Sequence, residues 1–172
     1  MKRIIIVLSA FFCTSALAES ANVTMNIVTS QGIEGNAGTI VVRESNNGLE
    51  FLPSLKGLSP GMHGFHVHEN GSCEPALKGG KSIAAGAAGG HFDPDKTGRH
   101  EGPYGNGHLG DLPALHVNAD GRAMDMISAP RLKKLAEVKG KALMIHVGGD
   151  NMSDHPEPLG GGGGRYICGI IK

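Results

Sequence analysis

The histidines at positions 66 and 68 are the first residues whose spacing suggests chemistry. In a β-strand, residues i and i+2 project from the same face, so both imidazoles would enter the same space. Two neighbouring imidazoles are costly to bury without polar partners, and costlier if both are protonated. A metal ion bound by both rings removes this cost. The pair therefore predicts a metal site.

Further metal-ligating side chains follow this pair along the chain. The sequence supplies His91, His100, His108 and Asp111 in one long segment, and His146 at the end of a later apolar stretch. Imidazole binds both copper and zinc, and one carboxylate among histidines favours zinc. These residues alone predict a two-metal site. The nine histidines are spread along the chain, unlike a metal-scavenging tract; His116 and His155 are interpreted as ordinary polar residues.

The pattern of apolar and turn-forming residues predicts an all-β domain. Predicted strands cover residues 22–29, 38–43, 49–52, 62–68, 114–118, 122–127, 142–147 and 166–171. Turn residues separate several of them, including Asn46-Asn47-Gly48 and Ala119-Asp120-Gly121. Such spacing indicates a sandwich or barrel. The 28 glycines argue against a mainly helical protein. Only residues 131–138 have a helical pattern, and this short segment is equally compatible with a turn or two of helix within a loop.

Two long segments fit neither strand nor helix. They cover residues 69–112 and 148–164, and they contain Gly, Pro, Asp and His but few large apolar residues. Long loops within a compact domain are usually functional or disordered. The five glycines 160–164 precede a strong terminal strand, so close backbone packing is favoured over a flexible linker.

The first 18 residues have the features of a secretory signal. Lys2 and Arg3 precede a short apolar run, and Ala16-Leu17-Ala18 supplies small residues for cleavage after Ala18. The run is shorter than the roughly 20 residues that span a bilayer; the alternative is a buried N-terminal strand. We therefore expect residues 19–172 to form one exported domain that is not inserted in the membrane, with Cys13 removed along with the signal.

The charge balance excludes one class of partner. The formal net charge is zero, and cleavage removes two basic residues and no acidic one, which leaves −2. Neither value gives an electrostatic footprint for nucleic acid or an anionic membrane surface.

The mature chain keeps two cysteines, Cys73 and Cys168. An even pair in an exported chain predicts a disulfide; the alternative is two free thiols that bind copper.

A set of motifs resembles copper/zinc superoxide dismutases, most closely the branch found in the bacterial periplasm. The motifs are Gly64-Phe65-His66-Val67-His68-Glu69, Gly90-His91-Phe92-Asp93-Pro94, His108-Leu109-Gly110-Asp111, His146-Val147-Gly148-Gly149-Asp150-Asn151, and Gly163-Gly164-Arg165 before Cys168-Gly169. They follow the family's order over nearly the whole mature chain. The resemblance implies an eight-stranded Greek-key β-barrel of immunoglobulin-like type. It also implies dismutation of superoxide to dioxygen and hydrogen peroxide, with one copper and one zinc per subunit.

The resemblance also assigns residue roles. Copper would be held by His66, His68, His91 and His146, and zinc by His91, His100, His108 and Asp111. His91 would bridge the two metals and carry a proton during turnover. Asp150 would hydrogen-bond one histidine of each metal, and His63 would pack beneath the site. Cys73 and Cys168 would form the family disulfide, and Arg165 would guide the anionic substrate to copper.

This sequence departs from the eukaryotic pattern in the segment 151–164, which is short of lysine. Charges that steer superoxide must therefore come from elsewhere, and Lys78, Lys81 and Arg99 are candidates. The resemblance leaves monomer and homodimer both open. Two other classes of protein stay possible from the residues: a copper- or zinc-binding barrel without turnover, and an exported structural or adhesion sandwich in which the histidines are incidental.

Overall fold

One antiparallel sheet of eight strands organises residues 19–172, the part of the chain that the computed structural model describes. The predicted signal sequence, with Cys13, lies outside the described residues. The strands are β1 (Ser20–Thr29), β2 (Gly32–Ser45), β3 (Gly48–Lys56), β4 (Gly61–His63), β5 (Phe65–His68), β6 (Ala76–Lys78), β7 (Lys81–Ile83), β8 (Leu115–Val117), β9 (Arg122–Ala123), β10 (Ile127–Ala129), β11 (Ala142–His146) and β12 (Arg165–Ile170). The helical pieces are α1 (Leu135–Val138) and two short 3₁₀ helices, Gly86–Ala88 and Pro158–Gly161. Within residues 19–172, no helix has the length and hydropathy needed to cross a membrane.

The strand order makes the sheet close on itself. The main path runs β10-β3-β2-β1-β12-β11-β5, and β9 also pairs with β3. Only Gly64 separates β5 from β4, which pairs with β8. Strand β8 turns directly into β9, where the Asn118 amide donates to the Arg122 carbonyl. The ring of strands is thereby complete, and the predicted all-β barrel is confirmed.

The core follows from the alternation of side chains along the strands. In β1, Val23 and Met25 are fully buried, whereas the intervening Thr24 is exposed. Because successive residues in a strand face opposite sides, this places one apolar row inside the barrel. Phe51 and Phe65 meet edge to face there, with ring centroids 5.5 Å apart. The barrel is thus a rigid apolar base for the polar loops at its end.

Several elements differ from the sequence-based expectation. The strand predicted over 62–68 breaks at Gly64, because that residue's backbone instead pairs with His146 and Gly148. The strand predicted over 122–127 is interrupted between β9 and β10. Of the helical pattern over 131–138 only the single turn α1 forms, in agreement with the loop-helix alternative. The hairpin β6–β7, which turns at Gly79-Gly80, lies inside a segment predicted to be loop.

A disulfide joins the first long loop to the last strand. Cys73 and Cys168 are bonded, with Cα atoms 5.7 Å apart and 95 positions between them in sequence. The predicted disulfide is confirmed, and the alternative of two thiol ligands is wrong because the two sulfur atoms bond each other. Closing a loop of this length stabilises the folded state by about 4–5 kcal/mol in the chain-entropy model.

Candidate metal centre

The histidines converge because the first long loop folds back onto β5. Strand β5 carries His66 and His68, and β11, which pairs with β5, ends at His146. The loop adds two isolated bridges, between His68 and His91 and between His66 and Asp111. The Phe92 amide donates to the Val67 carbonyl and the Val67 amide donates to the Gly110 carbonyl, which holds these loop residues in place. The predicted same-face pair in β5 thus forms the base of the site.

One group of four histidines lies around a common point. The ligating nitrogens of His66, His68, His91 and His146 are all within 4.8 Å of one another, and all four residues are buried. The Nε2 atoms of His68 and His146 lie 3.4 Å apart. Each ring's Nδ1 contacts a backbone carbonyl, Gly89 for His68 and Gly163 for His146. In neutral rings that donate through Nδ1, both Nε2 atoms carry lone pairs, so a cation bound between them suits the arrangement.

A second group lies beside the first and shares histidines with it. Its members, His66, His91, His100 and Asp111, also have ligating atoms within 4.8 Å of one another. His66 belongs to it because its ring stacks on His91 with centroids 3.9 Å apart. His108, which the resemblance places in the zinc set, lies at the edge, with Nδ1 3.4 Å from Asp111 Oδ1. All the predicted metal residues are therefore brought together.

Four buried polar atoms in these groups have no hydrogen-bond partner. They are Nδ1 of His66, His100 and His108, and Oδ2 of Asp111. Although His100 Nδ1 and Asp111 Oδ2 are 3.0 Å apart, they are not in hydrogen-bonding geometry. A buried polar atom without a partner costs about 1–3 kcal/mol. Imidazole nitrogens with one carboxylate oxygen are a donor set that zinc prefers, so these residues fit a metal.

Asp150 holds one histidine of each group. Its Oδ2 lies 2.8 Å from His66 Nε2, and its Oδ1 lies 2.8 Å from His100 Nε2. These contacts use the Nε2 atoms and leave both Nδ1 atoms free to bind metal. Such a partner fixes the tautomer and the orientation of a ligand ring. The structure places Asp150 where the resemblance expects it.

Burial and neighbouring charges shift the pKa values of the histidines in different directions. Burial, reinforced by His66, lowers the pKa of His91 to about 4 and that of His146 to about 3. Both rings are neutral at pH 7, which is the form that binds metal. Burial also opposes a charge on His100, but the two neighbouring carboxylates of Asp111 and Asp150 outweigh it and raise the pKa of His100 to about 9. His91 and His146 are therefore ready metal donors, whereas a metal ion that binds His100 has to displace its proton.

Arg165 lies directly opposite His146 in the register of β11 and β12. Its Nη1 donates to the Ala85 carbonyl at 2.6 Å, and its Nη2 donates to the Gly89 carbonyl. These bonds orient the half-buried guanidinium beside the four-histidine group.

The three residues predicted to steer superoxide lie in different surroundings. Lys78 and Arg165 line one surface cavity together. Arg99 instead pairs with Glu101 at 3.2 Å. Lys81 is paired with Lys78 across the hairpin β6–β7 but is not among the described residues that line this cavity.

The other histidines have structural surroundings. His63 is buried beneath the site, with Nδ1 2.8 Å from the His146 carbonyl and Nε2 2.8 Å from the Ser59 carbonyl. His116 is exposed and pairs with Asp125 at 3.0 Å. His155 is exposed in the second long loop. None of the three belongs to the two groups formed by the described residues.

Two residues that the sequence did not single out support the loops. Asp154 accepts hydrogen bonds from the His100 amide at 2.8 Å and the Leu159 amide at 3.0 Å, which joins the second long loop to the first. Arg131 donates to the carbonyls of His108 and Gly107 at 3.0 and 2.8 Å. No local pattern marks these residues, because their partners are distant backbone groups.

Comparison with known proteins shows that the chain is similar to copper/zinc superoxide dismutases. The family model described as copper/zinc superoxide dismutase (SODC) matches residues 36–171. The chain is 61% identical to Superoxide dismutase [Cu-Zn] of Escherichia coli (strain K12), over the full length of both chains. It also resembles the structure of Cu/Zn superoxide dismutase from Brucella abortus, with TM-score 0.88, 55% identity and coverage of 90% of this chain and 100% of that one. The monomeric copper, zinc enzyme from Salmonella enterica matches with TM-score 0.81, 64% identity and the same coverage.

The link between Asp154 and His100 predicts faster loss of zinc when it is weakened. Asp154→Asn replaces a charged acceptor of two backbone amides, and hydrogen bonds to charged groups contribute about 1.5–3 kcal/mol. We expect zinc release to a chelator, measured by metal analysis over time, to be roughly tenfold faster. The control is Asp95→Asn in the same loop region; equal zinc release from both variants would contradict the role of Asp154.

Proposed function

This chain belongs to the copper/zinc superoxide dismutase family, and on that premise we propose how its residues divide the work of catalysis. The activity is the dismutation of superoxide to dioxygen and hydrogen peroxide, and the cofactors are copper and zinc. The family match extends over most of the mature chain, so the adhesion sandwich with incidental histidines no longer fits.

We propose that His66, His68, His91 and His146 hold copper. The observation that supports this is the mutual approach of their ligating nitrogens to within 4.8 Å in a buried site. When bound, copper supplies the redox centre that one superoxide reduces and a second superoxide oxidises. The four imidazoles are neutral nitrogen donors of the kind that copper prefers.

We propose that His91, His100, His108 and Asp111 hold zinc. The unpartnered Nδ1 atoms of His100 and His108 and the unpartnered Oδ2 of Asp111 support this set. Zinc has no redox chemistry, so its role is to order the first long loop. That loop contains few apolar side chains, and metal binding contributes folding free energy in such segments.

His91 is the member common to both proposed sets. Its Nδ1 lies 2.9 Å from Asp111 Oδ1, on the zinc side, which leaves Nε2 for the copper side. An imidazole has two ring nitrogens and can serve two partners at once. We propose that His91 holds a proton on Nε2 when that atom is not a ligand, and passes it to the reduced substrate.

Arg165 provides the positive charge that attracts superoxide. A guanidinium is charged at every relevant pH, and its bonds to Ala85 and Gly89 fix it in one orientation. A fixed cation beside the metal raises the local concentration of a small anion and aligns it. Lys78, in the same cavity, adds to this attraction.

We propose that residues 1–18 export the chain to the periplasm, where it protects the cell envelope from superoxide as a monomer. The full-length relatives are from Gram-negative bacteria, and the Salmonella enterica structure is described as monomeric. We expect the periplasmic form to begin at Glu19, as measured by intact mass and N-terminal sequencing. Recovery of residues 1–18 in the periplasmic form would contradict this.

The ligand assignment predicts a selective effect at His146. His146→Ala removes one copper ligand and none of the zinc ligands, so copper and superoxide removal should be lost while zinc is largely kept. Metal content by mass spectrometry, measured with turnover on the same sample, checks this. His116→Ala is the control for an exposed histidine, and equal loss of both metals in His146→Ala would show that the two sets are wrongly divided.

The role of Arg165 predicts a kinetic defect without metal loss. Arg165→Ile should reduce the rate at low ionic strength by roughly tenfold or more, because electrostatic steering contributes factors of that size. The remaining rate should depend less on salt, since part of the attraction is gone. Pulse radiolysis at several salt concentrations measures both effects. Arg122→Ile, which changes an exposed strand arginine, should leave them unchanged.

A further inference from the structure

A cavity of about 360 Å³ opens beside Arg165, between the two long loops. A diatomic anion needs only the part of it next to the guanidinium. The remaining space has the size typical of sites for small organic ligands, which occupy about 300–1,000 Å³. The proposed dismutase function therefore leaves most of this cavity without an assigned use.

The outer walls of the cavity are apolar and exposed. Leu77 and Ile83, on the hairpin β6–β7, are 79% and 37% exposed, and Leu159 in the second long loop is 43% exposed. All three line the cavity. Large apolar side chains grouped around a pocket at a protein surface mark a binding site more often than scattered ones do. The walls come from both loops, so an apolar ligand would lie between them.

The charged side chains that line the cavity are positive. Arg165 and Lys78 line it, and among residues 19–172 no acidic residue does. Arg165 uses one N–H from each terminal nitrogen for the carbonyls of Ala85 and Gly89. A guanidinium has five N–H donors, so further donors stay free for an anion. The cavity thus combines a cationic end with an apolar outer part.

We propose that this cavity binds amphiphilic monocarboxylates, that is, carboxylates with an aliphatic tail of several carbons. The carboxylate binds at Arg165, and the tail packs against Leu77, Ile83 and Leu159. Such a ligand occupies the anion position and therefore competes with superoxide. This competition rests on the proposed role of Arg165, whereas the preference for a tail rests on the apolar walls alone.

Inhibition by carboxylates of increasing length tests the proposal on the metal-loaded enzyme. Acetate, butanoate, hexanoate and octanoate are compared at constant ionic strength, below the concentration at which octanoate aggregates. Each methylene that the walls bury should strengthen inhibition about fourfold, so octanoate should inhibit at least tenfold more strongly than acetate. The neutral analogue 1-octanol should inhibit far less, since it lacks the charge that Arg165 binds.

Two variants separate the tail site from the catalytic centre. The double variant Leu77→Ser with Leu159→Ser should keep the uninhibited activity, the metal content and the inhibition by acetate, but lose the dependence on chain length. Ile33→Ser is the matched control, because Ile33 is an exposed aliphatic residue on β2 outside this cavity. Calorimetric titration with octanoate gives the same comparison without turnover.

The outcomes distinguish failure of this inference from failure of the proposed function. Equal inhibition by acetate and octanoate overturns the tail site and leaves Arg165 as the anion guide. Octanoate inhibition that persists in the double variant, or is matched by 1-octanol, also overturns it. Full activity in Arg165→Ile would instead contradict the proposed role of Arg165, whatever the chain-length dependence.

Discussion

The hydrogen bonds of the Asp150 carboxylate join three parts of this protein at one buried point. One oxygen contacts His66 on the barrel strand β5, and the other contacts His100 in the first long loop. Asp150 itself lies in the second long loop, so one buried carboxylate joins the barrel and both loops. Its pKa is far below the usual value, because hydrogen bonds from His100 and His66 outweigh the cost of its burial. The orientation of both candidate metal sites depends on this one residue.

The backbone around this carboxylate is shaped to admit it. Gly160 has a φ of +73°, and a Cβ at that position would collide with the Asp150 carboxylate and the His100 ring. A residue without a side chain is therefore required, both for the left-handed conformation and for space. The high glycine content of the sequence has a local explanation here: backbone has to pass close to a packed polar cluster. The barrel supplies apolar burial, whereas the loops depend on hydrogen bonds, the disulfide and metal.

The sequence allowed the parts of this structure that depend on local spacing to be predicted. The pair His66 and His68 predicted a shared strand face, and the two remaining cysteines predicted their disulfide. The break at Gly64 was not predictable, because it depends on pairing with Gly148, 84 positions away. The supporting contacts of Asp154 and Arg131 were missed for the same reason. The motifs supplied the proposed ligand set, since family resemblance contains long-range information that single-sequence patterns lack.

The pairing of β5 with β11 determines when the four-histidine site can form during folding. These strands place His66 and His146 together although they are 80 positions apart in the chain. Bringing such distant segments together carries a loop-closure cost that the folding barrel repays. The four-histidine site therefore comes into existence only after the barrel has closed. A metal ion that needs all four histidines can therefore be bound only by the folded barrel, and its retention depends on this pairing of distant strands.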